Sequence, residues 1–197
     1  DLPLSEIDEV KSQAYFQRQS YRQFLHEPIA LEDFSEFLSC LLQNQLDDFP
    51  LPKYRYPSAG NLYPVQTYLL IKPNGVQGLS PGIYYYHPEQ HRLILINEIS
   101  EIDSDIYGGN QSIFEQSAFS IFLIGNISAI APMYGELADN FCLLEAGHIG
   151  QLLMENAHKR EIGLCPIGRL EFGQIREKFE LESNQPLLYS FVGGKID

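Results

Sequence analysis

The sequence predicts one domain in which helices and strands are mixed, and three observations predict it. The chain has 197 residues, enough for a sizeable core, and 44% hydrophobic against 20% charged residues favours a globular fold over disorder. Apolar residues recur at intervals of three and four in two segments, 29–43 and 133–161, as on the buried face of a helix. Apolar runs of strand length occur at 65–71, 82–87, 91–96, 118–125 and 187–192.

The charge of the chain limits its partners. Thirteen Lys and Arg stand against 26 Asp and Glu, which gives a net charge of −13. Such a surface repels phosphate backbones and anionic lipids, so we expect neither nucleic acid nor a membrane as a partner. The three cysteines are widely spaced and form no CxxC pair, which predicts no metal site and favours a cytoplasmic setting. The first residue is Asp1 rather than Met, which suggests a piece of a longer protein.

The N-terminal third predicts two helices. Residues 5–19 predict a polar helix, and 1–16 form an extension of a domain that spans 1–197. The second helix, 29–43, has Pro28 at its start and a core-facing stripe of apolar residues, followed by a polar loop at 43–53.

The middle and C-terminal parts predict most of the sheet. The runs at 82–87 and 91–96 are joined by Pro-Glu-Gln and predict a hairpin, and the run at 118–125 predicts a buried central strand. Further on, we expect 163–168 to end the long helix and open a loop, and 171–179 to form a small helix.

The long segment 133–161 predicts a helix that is buried on several sides. Ala146, Gly147 and Gly150 lie within about one turn and suit close helix packing, of which packing across a dimer axis is one form. His148 on its apolar face predicts a hydrogen-bonded core histidine rather than a metal ligand, because no second His lies at i+4.

The loop before the strand 65–71 is a candidate binding element. It reads Pro57-Ser-Ala-Gly-Asn61, with small residues that allow close approach and with side chains that donate and accept hydrogen bonds. An ordinary turn before a strand explains the same residues equally well.

Four short elements share one explanation. A flat, phosphorylated cofactor fits them, because a protein at −13 can hold a phosphate only with local cations such as Arg18, Arg22 and Lys195. A solvated helix end is the alternative for the two arginines. Neither GxGxxG nor GxxxxGK[ST] occurs. The four elements are Arg18-x-Ser20-x-Arg22, Pro57-Ser-Ala-Gly-Asn61, Cys165-Pro-Ile-Gly168 and Gly193-Gly-Lys195.

These motifs, in this order, resemble the FMN-dependent nitroreductase superfamily, and specifically its SagB-type dehydrogenase branch. The resemblance runs from about Gln17 to the C-terminus, and residues 28–42 further resemble the oxidase domains of non-ribosomal peptide synthetases. The motifs that carry it are Arg18-Gln-Ser-Tyr-Arg22, Tyr56-Pro-Ser-Ala-Gly-Asn-Leu-Tyr-Pro64, Gly82-Ile-Tyr-Tyr-Tyr-His-Pro88, Leu144-Glu-Ala-Gly-His-Ile-Gly-Gln151, Gly163-Leu-Cys-Pro-Ile-Gly168 and Gly193-Gly194.

The resemblance implies an α+β fold with a mainly antiparallel sheet flanked by helices, and an intertwined homodimer with FMN at the subunit interface. Arg18, Ser20, Arg22 and Lys195 would hold the phosphate and ribityl chain. Ser58 and Asn61 would come from the partner subunit or lie beside it. The full set of expected FMN-binding residues is Arg18, Gln19, Ser20, Arg22, Pro57, Ser58, Ala59, Gly60, Asn61, Pro166, Ile167, Gly168 and Lys195.

The resemblance also implies a reaction, the oxidation of a thiazoline or oxazoline ring to an azole on a peptide tethered to a carrier domain. Many such oxidases have a Lys-Tyr pair before the central helix, and here the pair reads Met133-Tyr134. Tyr134 is therefore the candidate catalytic residue, with simple packing as its alternative. Glu136, Asp139 and His148 are further candidates for the base.

Two other functions stay open on the sequence. A free-standing NAD(P)H-dependent nitroreductase would be reduced by nicotinamide and would need no carrier. A flavin-binding or scaffold domain without catalysis would follow if the missing lysine marks a lost activity.

Overall fold

The chain folds into one six-stranded sheet with helices on both faces, in a computed structural model that describes residues 2, 7–99 and 101–197. The strand order is β3-β2-β1-β4-β6-β5, and every neighbouring pair is antiparallel. The predicted α+β class is therefore confirmed. The strands are β1 Val65–Ile71, β2 Gly82–His87, β3 Arg92–Glu98, β4 Phe119–Gly125, β5 Ile162–Ile167 and β6 Leu187–Lys195. The helices are α1 Glu9–Gln17, α2 Leu31–Leu38, α3 Gln111–Gln116, α4 Ile127–Tyr134 and α5 Ala138–Ala157.

The two strand predictions that define the sheet are confirmed. All seven residues of β4 are buried, and β1 and β6 pair with it on either side. The hairpin of β2 and β3 forms as expected, with Tyr86 opposite Leu93. A continuous apolar run is what a strand covered on both faces requires.

Each face of the sheet carries its own apolar cluster. The first lies under α2 and α5 and includes Phe34, Phe37 and Ile149. The second lies under α3 and the C-terminal 3₁₀ turns and includes Phe122, Phe172 and Phe179. These two faces separate the candidate site residues into two groups.

The long helix predicted over 133–161 is interrupted. Gly135 has φ +53° and ends α4, so Met133 and Tyr134 belong to the preceding helix, and α5 begins at Ala138. The expectation that His148 lies in the core is wrong for this chain, because His148 is exposed on α5.

Residues 163–168 were expected to form a loop, and this prediction is wrong. Most of them lie in β5, an edge strand, in which Pro166 pairs with Phe191. Proline lacks the N–H that an inner strand needs, but an edge strand tolerates it. Residues 171–179 form two 3₁₀ turns, Phe172–Gln174 and Arg176–Phe179, rather than one helix.

The first helix is shorter than predicted. α1 spans Glu9–Gln17, Asp8 caps its N-terminus, and none of its residues is buried. Residues 5 and 6 of the predicted helix lie outside the described residues. In the described ranges, no helix combines the length and the apolar character needed to cross a membrane.

Candidate functional site

The segment 18–22 is held against the last two strands of the sheet. Tyr21 donates its backbone N–H to the carbonyl of Leu164 at 2.9 Å, and Leu25 donates to the carbonyl of Lys195 at 2.9 Å. Gly163 allows this approach, because a Cβ there would lie 2.7 Å from the Cβ of Tyr21. Three of the four predicted elements therefore lie side by side in one chain.

An open cleft of about 690 Å³ lies beside this segment. Gln19, Ser20 and Arg22 line it, together with Gln116 and Asp197. A hydroxyl, an amide and a guanidinium on one wall suit a phosphate, because charged donors make the stronger hydrogen bonds to anionic oxygens. The residues present therefore fit the phosphate end of FMN.

The three cations of this group differ in the contacts that they already make and in where they lie. Lys195 donates to the carboxylate of Glu27 at 2.9 Å, and that contact raises the pKa of the lysine. Arg22 donates to the carbonyl of Ser20 at 3.3 Å, and its charge opposes the burial that raises the pKa of Cys165. Arg18 is exposed at the end of α1. Lys195 would have to leave Glu27 to reach an anion, whereas Arg22 already faces the cleft.

The end of β5 would present backbone atoms rather than side chains to a ligand. Ile167 is buried in the core, and its carbonyl accepts from Ser190 at 3.4 Å. Gly168 is exposed, and a Cβ on it would meet nothing within 4 Å. Gly168 leaves room for a flat ring to approach, whereas the side chain of Ile167 is buried in the core.

The second group is the loop 57–61. It packs against the opposite apolar cluster, under α5. Its turn is held in the left-handed region at Gly60, Asn61 and Tyr63, with φ of +61°, +59° and +48°. Ser58 accepts a hydrogen bond from the backbone N–H of Tyr63 at 2.9 Å. The turn is therefore a specific structure and not a loose connection.

Asn61 is engaged within its own chain. Its side-chain amide donates to the carbonyl of Pro52 at 3.3 Å, and its oxygen accepts from the hydroxyl of Tyr63 at 3.0 Å. These contacts fix the turn and engage both the amide nitrogen and the oxygen of Asn61 within the chain.

Tyr134 lies beside this loop. A Cβ on Gly60 would lie 2.9 Å from its hydroxyl oxygen and 3.0 Å from the sulfur of Met133. The ring of Tyr134 makes an edge contact with Phe141, with ring centroids 4.8 Å apart. The other candidate bases, Glu136 and Asp139, are exposed on the protein surface.

The loop 57–61 lies at the opposite end of the sheet from Lys195 and the segment 18–22 beside it. The loop 57–61 precedes Val65, which pairs with Gly125, whereas Phe119 at the other end of β4 pairs with Gly193, two residues before Lys195. Six residue steps of about 3.3 Å separate these ends by roughly 20 Å. The groups also pack against different faces of the sheet. One chain alone does not bring them into one compact site.

Glu145 is a residue that sequence reasoning missed. It lies on α5, is only 2% exposed, and accepts the backbone N–H of Val65 at 3.1 Å. Its other oxygen, Oε2, has no hydrogen-bond partner among the described residues. Burial raises its pKa to about 7, although the Ser58 hydroxyl and the Val65 amide oppose that rise. Its spacing of three from Cys142 and of four from Ile149 is the sequence signal that could have indicated an inward position.

Comparison with known proteins identifies the family. The Nitroreductase family model matches residues 15–195. The chain belongs to the nitroreductase family. As such it is an oxidoreductase of the flavin type, and its six-stranded sheet is the fold of this family.

Two relatives of this nitroreductase-family chain differ greatly in length. Indigoidine synthase of Dickeya dadantii is 30% identical over 173 residues, which cover 76% of this chain but only 11% of that protein. MJ1384 of Methanocaldococcus jannaschii, whose name places it among nitroreductases, is 25% identical over 199 residues, which cover 100% of this chain and 98% of that protein.

Solved structures share the fold of this nitroreductase-family chain. The E. coli microcin synthetase McbBCD complex, solved with truncated pro-MccB17 bound, matches with a TM-score of 0.75 at 16% identity over 98% of this chain and 76% of that chain. A structure from Desulfovibrio desulfuricans in complex with FMN matches with a TM-score of 0.59 at 17% identity over 94% of this chain and 85% of that chain.

Proposed function

We propose that this chain is an FMN-dependent oxidase that acts at a site built from two copies of itself. The observation that carries the proposal is the separation of the loop 57–61 from the cleft at 18–22 and Lys195, at opposite ends and on opposite faces of one sheet. Each group is half of a site. A second copy would bring the loop 57–61 of one protomer to the cleft at 18–22 of the other.

The exposed face of α5 supports the second copy. On α5, Leu143 and Leu144 are 51% and 59% exposed. Leu137 just before it is 53% exposed, and Met133 at the end of α4 is 62% exposed. Large apolar side chains rarely form a contiguous exposed patch on a monomer. The predicted burial of this helix on several sides would then be completed by the partner subunit.

The two groups of residues would bind different parts of FMN. Arg22 and Ser20 would hold the phosphate of FMN in the cleft, and Lys195 would join them on leaving Glu27. The backbone of Gly168 and the turn at Ser58 and Gly60 would approach the ring system. FMN, when bound, supplies the hydride acceptor.

Tyr134 would position the substrate and handle its proton. Its hydroxyl lies against the backbone of Gly60, at the edge of the loop that would face the ring. A phenol hydroxyl can both donate and accept a hydrogen bond. We therefore assign it a hydrogen bond to the substrate or to an ordered water that takes the proton.

We further propose that the substrate is a thiazoline or oxazoline ring on a peptide tethered to a carrier domain. The match to part of indigoidine synthase and the fold shared with the microcin synthetase complex support this substrate class. Tethering raises the effective concentration of a substrate that binds weakly by itself. The SagB-type branch and the azole-forming reaction both belong to this proposal.

MJ1384 favours a second function, a free-standing reductase that takes electrons from NAD(P)H. The match covers nearly the whole of that relative, so its length leaves no room for a carrier or a flanking domain.

One experiment separates the alternatives. The purified protein is reconstituted with FMN, and its flavin absorbance is followed with NADPH or with a thiazoline thioester on a carrier protein. The proposal expects bleaching by the thiazoline under anaerobic conditions and a stable spectrum with NADPH. Bleaching by NADPH alone would establish the second function, and failure to bind FMN would refute both.

A further inference from the structure

The buried carboxyl of Glu145 connects α5 to the start of β1, a few residues after the candidate loop. One oxygen, Oε1, accepts the N–H of Val65, the first residue of β1. The other oxygen, Oε2, is buried without a hydrogen-bond partner among the described residues. One oxygen of this carboxyl is therefore left without the hydrogen bonds that an ionised group demands.

Ser58 is the side chain whose hydroxyl interacts with the Glu145 carboxyl. Its hydroxyl lies close enough to Glu145 to favour the ionised carboxyl and so to lower its pKa. A hydroxyl has one proton and two lone pairs. One lone pair already accepts the N–H of Tyr63, which leaves one proton and one lone pair to be shared between Glu145 and any ligand.

We propose that the proton on Glu145 decides which hydrogen-bonding group Ser58 offers to a ligand at this turn. With Glu145 ionised, the Ser58 proton is directed to the carboxylate, and the serine offers only a lone pair. With Glu145 protonated, Oε2–H donates to Ser58, and the Ser58 hydroxyl is free to donate outward. Glu145 is thus a positioning residue, and this role rests on the proposed binding of FMN at the loop.

The neighbours of Glu145 leave it to titrate by itself near neutral pH. Those that interact with it electrostatically are Tyr54 and Tyr56 before the loop and Cys142 on α5. Burial raises the pKa of all three groups, that of Tyr54 to about 12 and that of Cys142 to about 11. All three are neutral below pH 8, while the pKa of Glu145 is raised to about 7.

Flavin binding should therefore take up a proton. The ring edge of FMN offers mainly hydrogen-bond acceptors, which a donating Ser58 satisfies and a lone pair does not. FMN should bind more tightly at pH 6 than at pH 8.5, by about three- to tenfold if binding raises the pKa of Glu145 by about one unit.

The test compares Glu145→Gln with Glu155→Gln, an exposed glutamate ten residues further along the same helix. The amide introduced by Glu145→Gln would donate to Ser58 at every pH. The affinity for FMN is measured from pH 6 to 8.5, and proton uptake is measured by calorimetry in two buffers of different ionisation enthalpy. Glu155→Gln should show the pH dependence and proton uptake of the unmodified protein, and Glu145→Gln should lose both.

Two results would overturn the assignment. The first is an equal pH dependence in Glu145→Gln and the unmodified protein, both of which bind FMN. The second is unchanged proton uptake in Ser58→Ala, which keeps the carboxyl and serves if Glu145→Gln does not fold. If neither the unmodified protein nor any variant binds FMN at any pH, the proposed function fails first, and this role fails with it.

Discussion

The hydroxyl oxygen of Tyr134 lies 2.9 Å from the point where a Cβ on Gly60 would sit. The candidate catalytic side chain and the candidate cofactor loop therefore touch within one chain. A side chain at position 60 would have to displace the Tyr134 hydroxyl, which glycine does not. Gly60 also has a φ of +61°, which disfavours residues with a Cβ.

Gly60→Ala should consequently weaken both the fold and the site. The left-handed conformation alone costs an alanine about 1–2 kcal/mol, and the contact with Tyr134 adds to that cost. We expect a lower free energy of unfolding in urea and a slower turnover of the reconstituted enzyme.

Gly78→Ala is the matched control, because Gly78 has a φ of +76° and open space around it. It should show only the conformational cost and normal turnover. Equal losses in the two variants would mean that the contact with Tyr134 has no role.

Tyr134→Phe should keep FMN and slow the oxidation. Its ring packing against Phe141 remains, while the hydroxyl that would contact the substrate or a water is removed. A proton-handling group contributes about 10²–10⁴-fold to a rate, so we expect kcat to fall at least about tenfold. Tyr84→Phe, which removes a hydroxyl that donates to Ser80, is the control. Full activity in Tyr134→Phe would leave the residue with a packing role only.

The hydrophobic pattern predicted most strands of the sheet, but it missed the strand β5 and the break between α4 and α5. The apolar runs of β1 and β4 gave strands directly, because a strand buried on both faces needs such a run. β5 was missed because Pro166 argues against a strand until the edge position is known. The break at Gly135 depends on its positive φ, which an apolar spacing of three and four does not report.

The motifs single out candidate site residues, but the sequence does not give their arrangement. The motifs identified Arg22, Ser58 and Lys195, but no spacing in the sequence reveals that Lys195 pairs with Glu27 or that Ser58 lies at the far end of the sheet. Glu145 was missed because a glutamate in a helix is usually on its surface, and only the fold shows that α5 turns it inward.

Arg22→Ala should release FMN. Loss of a charged donor to phosphate costs about 1.5–3 kcal/mol, so we expect the Kd for FMN to rise at least about tenfold. Arg92→Ala removes the same charge from β3, at the opposite edge of the sheet, and should leave the Kd unchanged. Unaltered flavin content of Arg22→Ala after dialysis would count against a phosphate site in this cleft.

Leu144→Glu should separate the two copies and release the flavin with them. A charge placed in an apolar interface is desolvated without a partner, which opposes association by several kcal/mol. Sedimentation velocity should show a monomer, and the bound FMN should fall in parallel. Leu95→Glu on β3, where the leucine is 41% exposed, is the control and should stay dimeric. A monomeric variant that retains FMN would show that one chain holds the whole site.

Glu145→Gln should stabilise the protein above neutral pH. The pKa of Glu145 is raised from 4.5 to about 7 by burial, so between these values the folded protein binds a proton that the unfolded chain does not. The contribution of this group to stability therefore falls as pH rises through this window, by up to about 3 kcal/mol at pH 8. Urea unfolding at pH 5 and pH 8 should show a smaller decline in Glu145→Gln than in the unmodified protein and in Glu155→Gln. The same decline in all three would mean that the carboxyl reaches water and does not carry the proton that its positioning of Ser58 requires.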